Sequence, residues 1–185
     1  AGWDKIWPAF RDEDGGWTGV FVDAFSNVVN VKGLAQDKWP REAKDYLDPA
    51  LKNKIVLTWP NDDDAVLFWF KQVVDQYGWD YVAKIKAQNP ILVRGTQAPA
   101  DDVESGKALA TFSTDGALAV DNNVNSRFML PEHDKFVSWA QRAAIFKKAK
   151  HPDTARLYLS WLLDKNTQSN VWYMWSVRTD AVSYT

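Results

Sequence analysis

Residues 54–78 constrain this chain more than any other stretch. An apolar, β-prone run, IVLTW, is stopped by Pro60, and four short polar residues follow. An apolar stripe at helical spacing starts at once and runs to Gly78. Asn61, Asp62 and Asp63 can each accept a hydrogen bond from the first free N–H groups of such a helix, and their charge suits its positive end. The pattern predicts a strand over 55–59 and a helix over 65–77. Val66, Phe70, Val73, Val74 and Tyr77 then share one face, and Gly78 is the stop. In open α/β sheets, ligands settle at the carboxyl ends of strands, which is where this polar turn falls.

The rest of the chain repeats the alternation. The Gly-rich turn 15–19 leads into a β-prone run over 20–31, and the polar Asp23, Ser26 and Asn27 suggest two strands with a bend between them. A short helix is expected over 38–47 and another over 79–88, followed by a strand over 91–94. A helix over 99–105, a strand over 109–112 and a strand over 127–130 come next. From Phe136 onward helices are expected to dominate, over about 136–148, 152–163 with Pro152 in its first turn, and 166–175. Strands alternating with helices predict an α/β class, a three-layer arrangement with a mixed, mostly parallel sheet flanked by helices. One domain spanning residues 1–185 is expected, with C-terminal helices in 136–176.

Composition removes whole classes of function. A net charge of −2 with scattered lysines and arginines gives no electrostatic footprint for nucleic acid. Apolar runs stay well short of a membrane span. With no cysteine there is no disulfide, thiolate metal site or cysteine nucleophile, and two histidines, His133 and His151, cannot hold zinc by themselves. No serine lies in a G-x-S-x-G elbow, and no glycine-rich phosphate cradle is present. Asp62, Asp63 and Asp64 are adjacent, so they do not supply the fixed separation that paired-carboxylate catalysis needs. The reading is a non-enzyme with no cofactor, no catalytic residue and no metal site.

Three polar turns follow strands: 61–64, 95–96 and 113–115. If those strands are parallel neighbours, the turns meet at one sheet edge. Trp59, Asn61, Asp62, Asp63, Arg94, Thr96, Ser113 and Asp115 are the candidate ligand-binding residues. Taken singly, Asn61 to Asp64 read as helix caps, Arg94 as a surface ion-pair partner and Thr96 as an N-cap. Eleven tryptophans are spread through the chain and are expected mostly in the core, with Trp59 beside the turn as the exception.

Several segments carry a resemblance: Glu42 to Asp48, DYLDPALKNKIVLTWPNDDDAV, VRGTQAPADDVESGKALATFSTDG and HPDTARLYLSWLLDKNTQSNVWYMWSVRTDAV. Within them, Leu47–Ile55 gives an L-D-P-x-x-K-x-K-I step and Glu104–Ala108 an E-S-G-K-A step. The closing part carries Asp153, Ala155, Gln168 and Val177-Arg178. Together they resemble the second lobe of family 1 extracellular solute-binding proteins, the type II periplasmic-binding-protein-like receptors of ABC transporters. The T-W-P-N-D-D-D-A-V version resembles secreted fungal members most. The resemblance implies a two-lobed cleft of which this chain carries one jaw, since only fifteen residues precede Gly16. It implies a secreted or extracellular protein, periplasmic if bacterial, and the absence of a leader before Ala1-Gly2-Trp3 fits a mature form.

Two functions follow. The first is a non-catalytic domain that binds a small polar or charged solute at the strand-end turns. The second is a secreted bioactive or interaction protein, acting through a partner or through self-association with no small ligand. A homodimer or partner is expected over the face of the missing lobe, near 17–30 and 172–177.

Overall fold

The structure is a computed structural model that describes residues 2–115, 125–171 and 174–181, and for Asp115 the backbone only. Two compact units divide the chain: a sheet unit of residues 24–115 and 125–137, and a terminal unit of residues 2–23 and 138–181. The first strand, β1 (Thr18–Asn30), contributes to both.

In the sheet unit β1 is followed by β2 (Val56–Thr58), β3 (Ile91–Val93), β4 (Ala110–Asp115) and β5 (Ser126–Met129). β2 and β3 pair in parallel, and a parallel bridge from Ile55 to Ala110 sets β2 beside β4. β1 pairs antiparallel with both β4 and β5. The lateral order is therefore β3-β2-β4-β1-β5, with β1 alone running against the other four. This is the mixed, mostly parallel sheet that the alternation predicts.

Three helices flank it: α1 (Asp64–Tyr77), α2 (Trp79–Ala87) and α3 (Gln97–Glu104). α1 starts where the caps place it, because Asp63 Oδ1 accepts from the N–H groups of Ala65 and Val66 at 2.8 and 3.1 Å. It stops at Gly78, whose φ of 79° lies in the left-handed region open to glycine. Trp69 of α1 stacks on Phe112 of β4 at 3.8 Å between centroids, and Tyr46 meets the same ring edge-on at 4.8 Å.

β1 is one strand where two with a bend were expected. Two of its polar residues, Asn27 and Asn30, are hydrogen-bonded in place and do not break it. Asn27 donates to the Arg41 carbonyl and accepts from the Tyr46 hydroxyl. Asn30 donates to the Val103 carbonyl and accepts from the N–H groups of Lys32 and Gly33. The only trace of the bend is a register irregularity against β4 between Ser26 and Val28. The helix expected over 38–47 resolves into two short 3-10 turns, Gln36–Lys38 and Ala43–Leu47. Between them Pro40 holds Trp39 extended, with φ −70° and ψ 123°.

Two reciprocal carboxylates fasten the segment after β5. Glu42, buried, accepts from the N–H groups of Glu132, His133 and Asp134 at 3.0, 2.9 and 2.7 Å. Asp134 in turn accepts from the Ala43 N–H, the Gln76 amide and the Tyr77 hydroxyl at 2.7, 2.7 and 2.5 Å.

In the terminal unit, residues 137–143 correct the expected helix over 136–148. They form strand β6 (Val137–Ala143), paired with β1. Val137 and Trp139 suit a strand, and pairing with β1 decides the outcome over a helical count of apolar residues. α4 (Pro152–Leu162) and α5 (Lys165–Asn170) follow. The helix expected over 166–175 ends early: the Val22 N–H donates to the Trp175 carbonyl, as a strand-like bridge, while 172 and 173 lie outside the described residues.

The core of this unit is small: Ile6, Val20, Leu162, Leu163 and Val177. Gln168, buried, cross-links it by donating to the carbonyls of Val20 and Leu162 and accepting from the Val177 N–H. Arg178 does the same at the other end, through the Leu163 carbonyl and both oxygens of Asp180.

The tryptophans correct the sequence expectation. Of those described, only Trp69 is buried, whereas Trp3, Trp7, Trp59, Trp79 and Trp161 are exposed. The large ring is used at the edges of both units more than at their centres.

Candidate functional site

The turns after β2 and β3 and the end of β4 lie at one edge of the sheet unit, because the three strands are parallel neighbours. Residues 113–115, expected as a polar turn, are instead the last residues of β4, held in the strand by pairing with β1, and 116–124 lie outside the described residues. This edge is the one at which β1 enters the unit, since Phe25 pairs with Asp115.

The meeting is held by side chains as well as by strand direction. Thr58, the last residue of β2 and fully buried, donates from Oγ1 to the Gly95 carbonyl at 2.8 Å. Its N–H donates to Ser113 Oγ at 2.8 Å. Thr114 Oγ1 donates to the Thr96 carbonyl at 2.5 Å. Above these, Asp62 Oδ2 accepts from the Gly95 N–H at 2.7 Å, and Oδ1 lies 3.4 Å from Arg94 Nη1. Asp62 therefore ties the first turn to the second. Gly95 can present its N–H there because its φ is 72°, a value that strains other residues.

The predicted residues separate into two layers. Trp59 is 46% exposed and the Arg94 side chain 86% exposed, and Asn61 and Asp62 are exposed beside them. Thr96 is half-buried at the start of α3, and its side chain makes no cap, so the N–H groups of Gln97 and Ala98 begin the helix without a side-chain acceptor from Thr96. Below lie Asp63, engaged as the α1 cap, and Ser113, 2% exposed, whose hydroxyl takes the Thr58 N–H and lies 3.2 Å from Thr111 Oγ1. Asp115 ends β4, so its backbone is placed at this edge.

Sequence reasoning missed Thr58, Thr114 and Gly95, which bind the turns to one another. The available signal was a hydroxyl residue at the end of β2 and next to the end of β4, and a glycine two residues after β3. Chemically, the edge offers a guanidinium with most of its donors toward solvent, a flat apolar ring, the exposed Asn61 and the half-buried Thr96. Such a surface can hold a charged head group and the apolar face of a small solute.

The profile of the bacterial extracellular solute-binding protein family matches residues 2–169. No curated protein sequence matches the chain. Among solved structures, the substrate-binding protein of an ABC transporter from Agrobacterium tumefaciens superposes with a TM-score of 0.79 at 15% identity. It covers 96% of this chain and 57% of its own. The periplasmic binding protein AfuA from Actinobacillus pleuropneumoniae, solved with exogenous fructose-6-phosphate bound, gives 0.73 at 19% identity, over 97% of this chain and 62% of that one. The ferric binding protein from Campylobacter jejuni gives 0.69 at 13%, over 97% and 63%. The chain thus spans about three fifths of the length of these proteins.

Proposed function

We propose, since this chain belongs to the bacterial extracellular solute-binding protein family, that its sheet unit takes a small polar or charged solute at the turns after β2 and β3 and the end of β4. The reading is of a non-catalytic, secreted or periplasmic binder, the chain as a whole resembling the second lobe of a two-lobe solute-binding protein. The observation that carries it is the bracing of the first two turns by Asp62 through the Gly95 N–H, with Arg94 and Trp59 left facing outward. A ligand meeting prefixed donors pays less ordering cost on binding than one that must assemble them.

Arg94 favours an anionic group on the solute. Its guanidinium has five N–H donors, and the contact to Asp62 is one long hydrogen bond at 3.4 Å. A carboxylate or phosphate could take two of the remaining donors side by side. Trp59 offers a face for a sugar or other flat apolar portion, and Asn61 and Thr96 offer neutral hydrogen bonds. Beneath these, Asp63 caps α1 and Ser113 joins β4 to Thr58. Of the ligands named for the structural relatives, a sugar phosphate matches this surface better than a ferric ion, because Asp62 already spends both oxygens on Gly95 and Arg94.

The experiment is calorimetric titration with fructose-6-phosphate, free fructose, inorganic phosphate, citrate and ferric citrate. Phosphorylated or carboxylated solutes should bind, and Arg94→Ala should weaken them by roughly 10-fold or more, the loss of a charge-assisted contact. If alanine at both Asp62 and Arg94 leaves all ligand affinities intact, this edge is not the site.

A further inference from the structure

Lysines that are scattered along the sequence are gathered by the fold at one end of the sheet unit. β2, β3 and β4 are parallel neighbours, so their amino ends share an edge, opposite the one that carries the candidate ligand site. The segments that meet there are residues 49–57, 81–93 and 105–111. Together they carry five lysines, Lys52, Lys54, Lys84, Lys86 and Lys107, and no aspartate or glutamate, in a chain whose net charge is −2.

The meeting of these segments is fixed by hydrogen bonds. The Asn53 N–H donates to the Gln88 carbonyl at 2.8 Å, the Asn89 amide donates to Asn53 Oδ1 at 2.8 Å, and the Leu109 N–H donates to the Lys54 carbonyl at 2.7 Å. Asn53 and Asn89 take φ values of 63° and 54°, a left-handed conformation that asparagine tolerates, and so set the turn 52–54 against the end of α2. All five lysines are exposed. Lys107 pairs with Asp102 at 2.8 Å, whereas the other four make no ion pair among the described residues. Lys84 and Lys86 suit the negative end of α2, which accounts for two of the four. Lys52 and Lys54 lie outside that helix and add their charge to the same surface.

The surroundings indicate what such a surface meets. The exposed neighbours of the lysines are small: Pro49, Ala50, Ala83 and Ala87. The three segments contain no arginine, and their one aromatic ring, Tyr81, is buried. Protein interfaces are enriched in arginine and aromatic residues and depleted in lysine. Anionic headgroups need no shaped pocket, and each lysine near a charged bilayer raises partitioning roughly 5-fold. We propose that this end of the sheet unit is a docking surface for an anionic phospholipid bilayer, held by Lys52, Lys54, Lys84 and Lys86 without insertion of apolar side chains. The unit then rests on the headgroups by its amino strand ends, and Asp62 and Arg94 face away from them. The inference does not rest on the ligand site, because the two lie at opposite ends of the strands. It also differs from the partner face expected near 17–30, where residues 18–20 and 24–30 are buried.

The test is co-sedimentation of the 185-residue chain with vesicles of phosphatidylcholine alone and of an equimolar mixture with phosphatidylglycerol, at ionic strengths of about 0.01 and 0.15 M. The chain should sediment only with the anionic vesicles, and less at the higher ionic strength. Lys52→Gln with Lys86→Gln should lower the partition coefficient roughly 25-fold, and glutamine at all four positions should abolish sedimentation. The four positions are exposed, so Tm and circular dichroism should match those of the parent chain. Lys71→Gln with Lys135→Gln removes the same charge beside α1 and should change partitioning by less than about 2-fold. Sedimentation that survives all four substitutions, or that falls equally with the Lys71 and Lys135 pair, overturns the proposal. Release of the chain by inorganic phosphate beyond that by sodium chloride of equal ionic strength overturns it in favour of a discrete phosphate site. Equal binding to soluble polyglutamate overturns it in favour of an acidic polypeptide.

Discussion

Glu42→Ala tests the reciprocal carboxylate lock in the sheet unit. The Glu42 side chain is buried and takes three consecutive backbone N–H groups, those of residues 132, 133 and 134, and its capping box adds the N–H of Asp45. A hydrogen bond to a charged acceptor contributes about 1.5–3 kcal/mol where water cannot substitute. Residues 132 and 133 are exposed, so water relieves part of the loss there, and about 1 kcal/mol for each of the three donors is the appropriate scale. The expected cost is about 3 kcal/mol, a fall in Tm of roughly 6–12 °C for a chain of this size. Glu42→Gln keeps one oxygen for the paired N–H groups of residues 132 and 133 and should cost about half as much. Glu132→Ala removes only an exposed contact at 3.9 Å from Arg41, worth about 0.5 kcal/mol at most. Urea denaturation gives the three values, and hydrogen exchange of β1, β2 and β4 assigns them to the sheet unit. A cost below about 1 kcal/mol for Glu42→Ala, or equal costs for the alanine and glutamine variants, would refute the lock.

Two further outcomes follow from the same unit. Burial raises the phenol pKa of Tyr46, Tyr77 and Tyr81 above the ordinary value of 10.0, and for Tyr77 the hydrogen bond to Asp134 adds to it. The folded chain then holds protons that the unfolded chain releases above pH 10, so stability is complete below that pH and is lost as pH climbs beyond it. The part of the 295 nm absorbance change that Tyr46→Phe, Tyr77→Phe or Tyr81→Phe removes should coincide with loss of circular dichroism; if that part titrates reversibly near pH 10 while the chain stays folded, the burial is contradicted. Asp62→Ala should cost about 1–1.5 kcal/mol through the Gly95 N–H, whereas Arg94→Ala should change stability by less than about 0.5 kcal/mol. The Gly95 amide should exchange faster only in the first variant, and equal acceleration in both would mean that the ion pair sets the turn.

Local chemistry was legible where it acts locally. Pro60, Asp63 and Gly78 mark a strand end, a cap and a stop within one short span, and α1 begins and ends accordingly. The alternation of elements gave the class, because each strand of β2 to β4 is separated from the next by helical or turn sequence long enough for a crossover. β6 was not legible. VSWAQRA has no strict alternation of burial, and it becomes a strand by pairing with β1, more than a hundred residues earlier in the chain. The same cause hid the continuity of β1. Of Asp23, Ser26 and Asn27, which interrupt the apolar run, Asn27 looks like a break until Arg41 and Tyr46 are brought beside the strand.

The candidate site shows the same division between near and far. The convergence of strand ends was readable, since β2, β3 and β4 are parallel neighbours, but 113–115, read as a turn, belongs to β4 because it pairs with β1. The site's hardware was not readable, because each fastening contact spans a long gap in sequence: Thr58 to Gly95, Thr58 to Ser113, Asp62 to Gly95, Thr96 to Thr114. Those contacts also sort the residues by role. A side chain that fixes one strand end to another, or caps a helix, cannot move to meet a ligand without releasing what it holds, so Thr58 and Ser113 by the first role and Asp63 by the second belong to the frame. Arg94 is held by a single long contact and Trp59 by its backbone, through the Val93 carbonyl, so their outer ends can respond to a solute at little structural cost. Asp62 belongs to both groups. It supports Gly95 with one oxygen and holds Arg94 with the other, so a solute anion that draws Arg94 away leaves the turn braced. Binding through Arg94 therefore does not require the edge to come apart, which is the property a site on this part of the sheet needs.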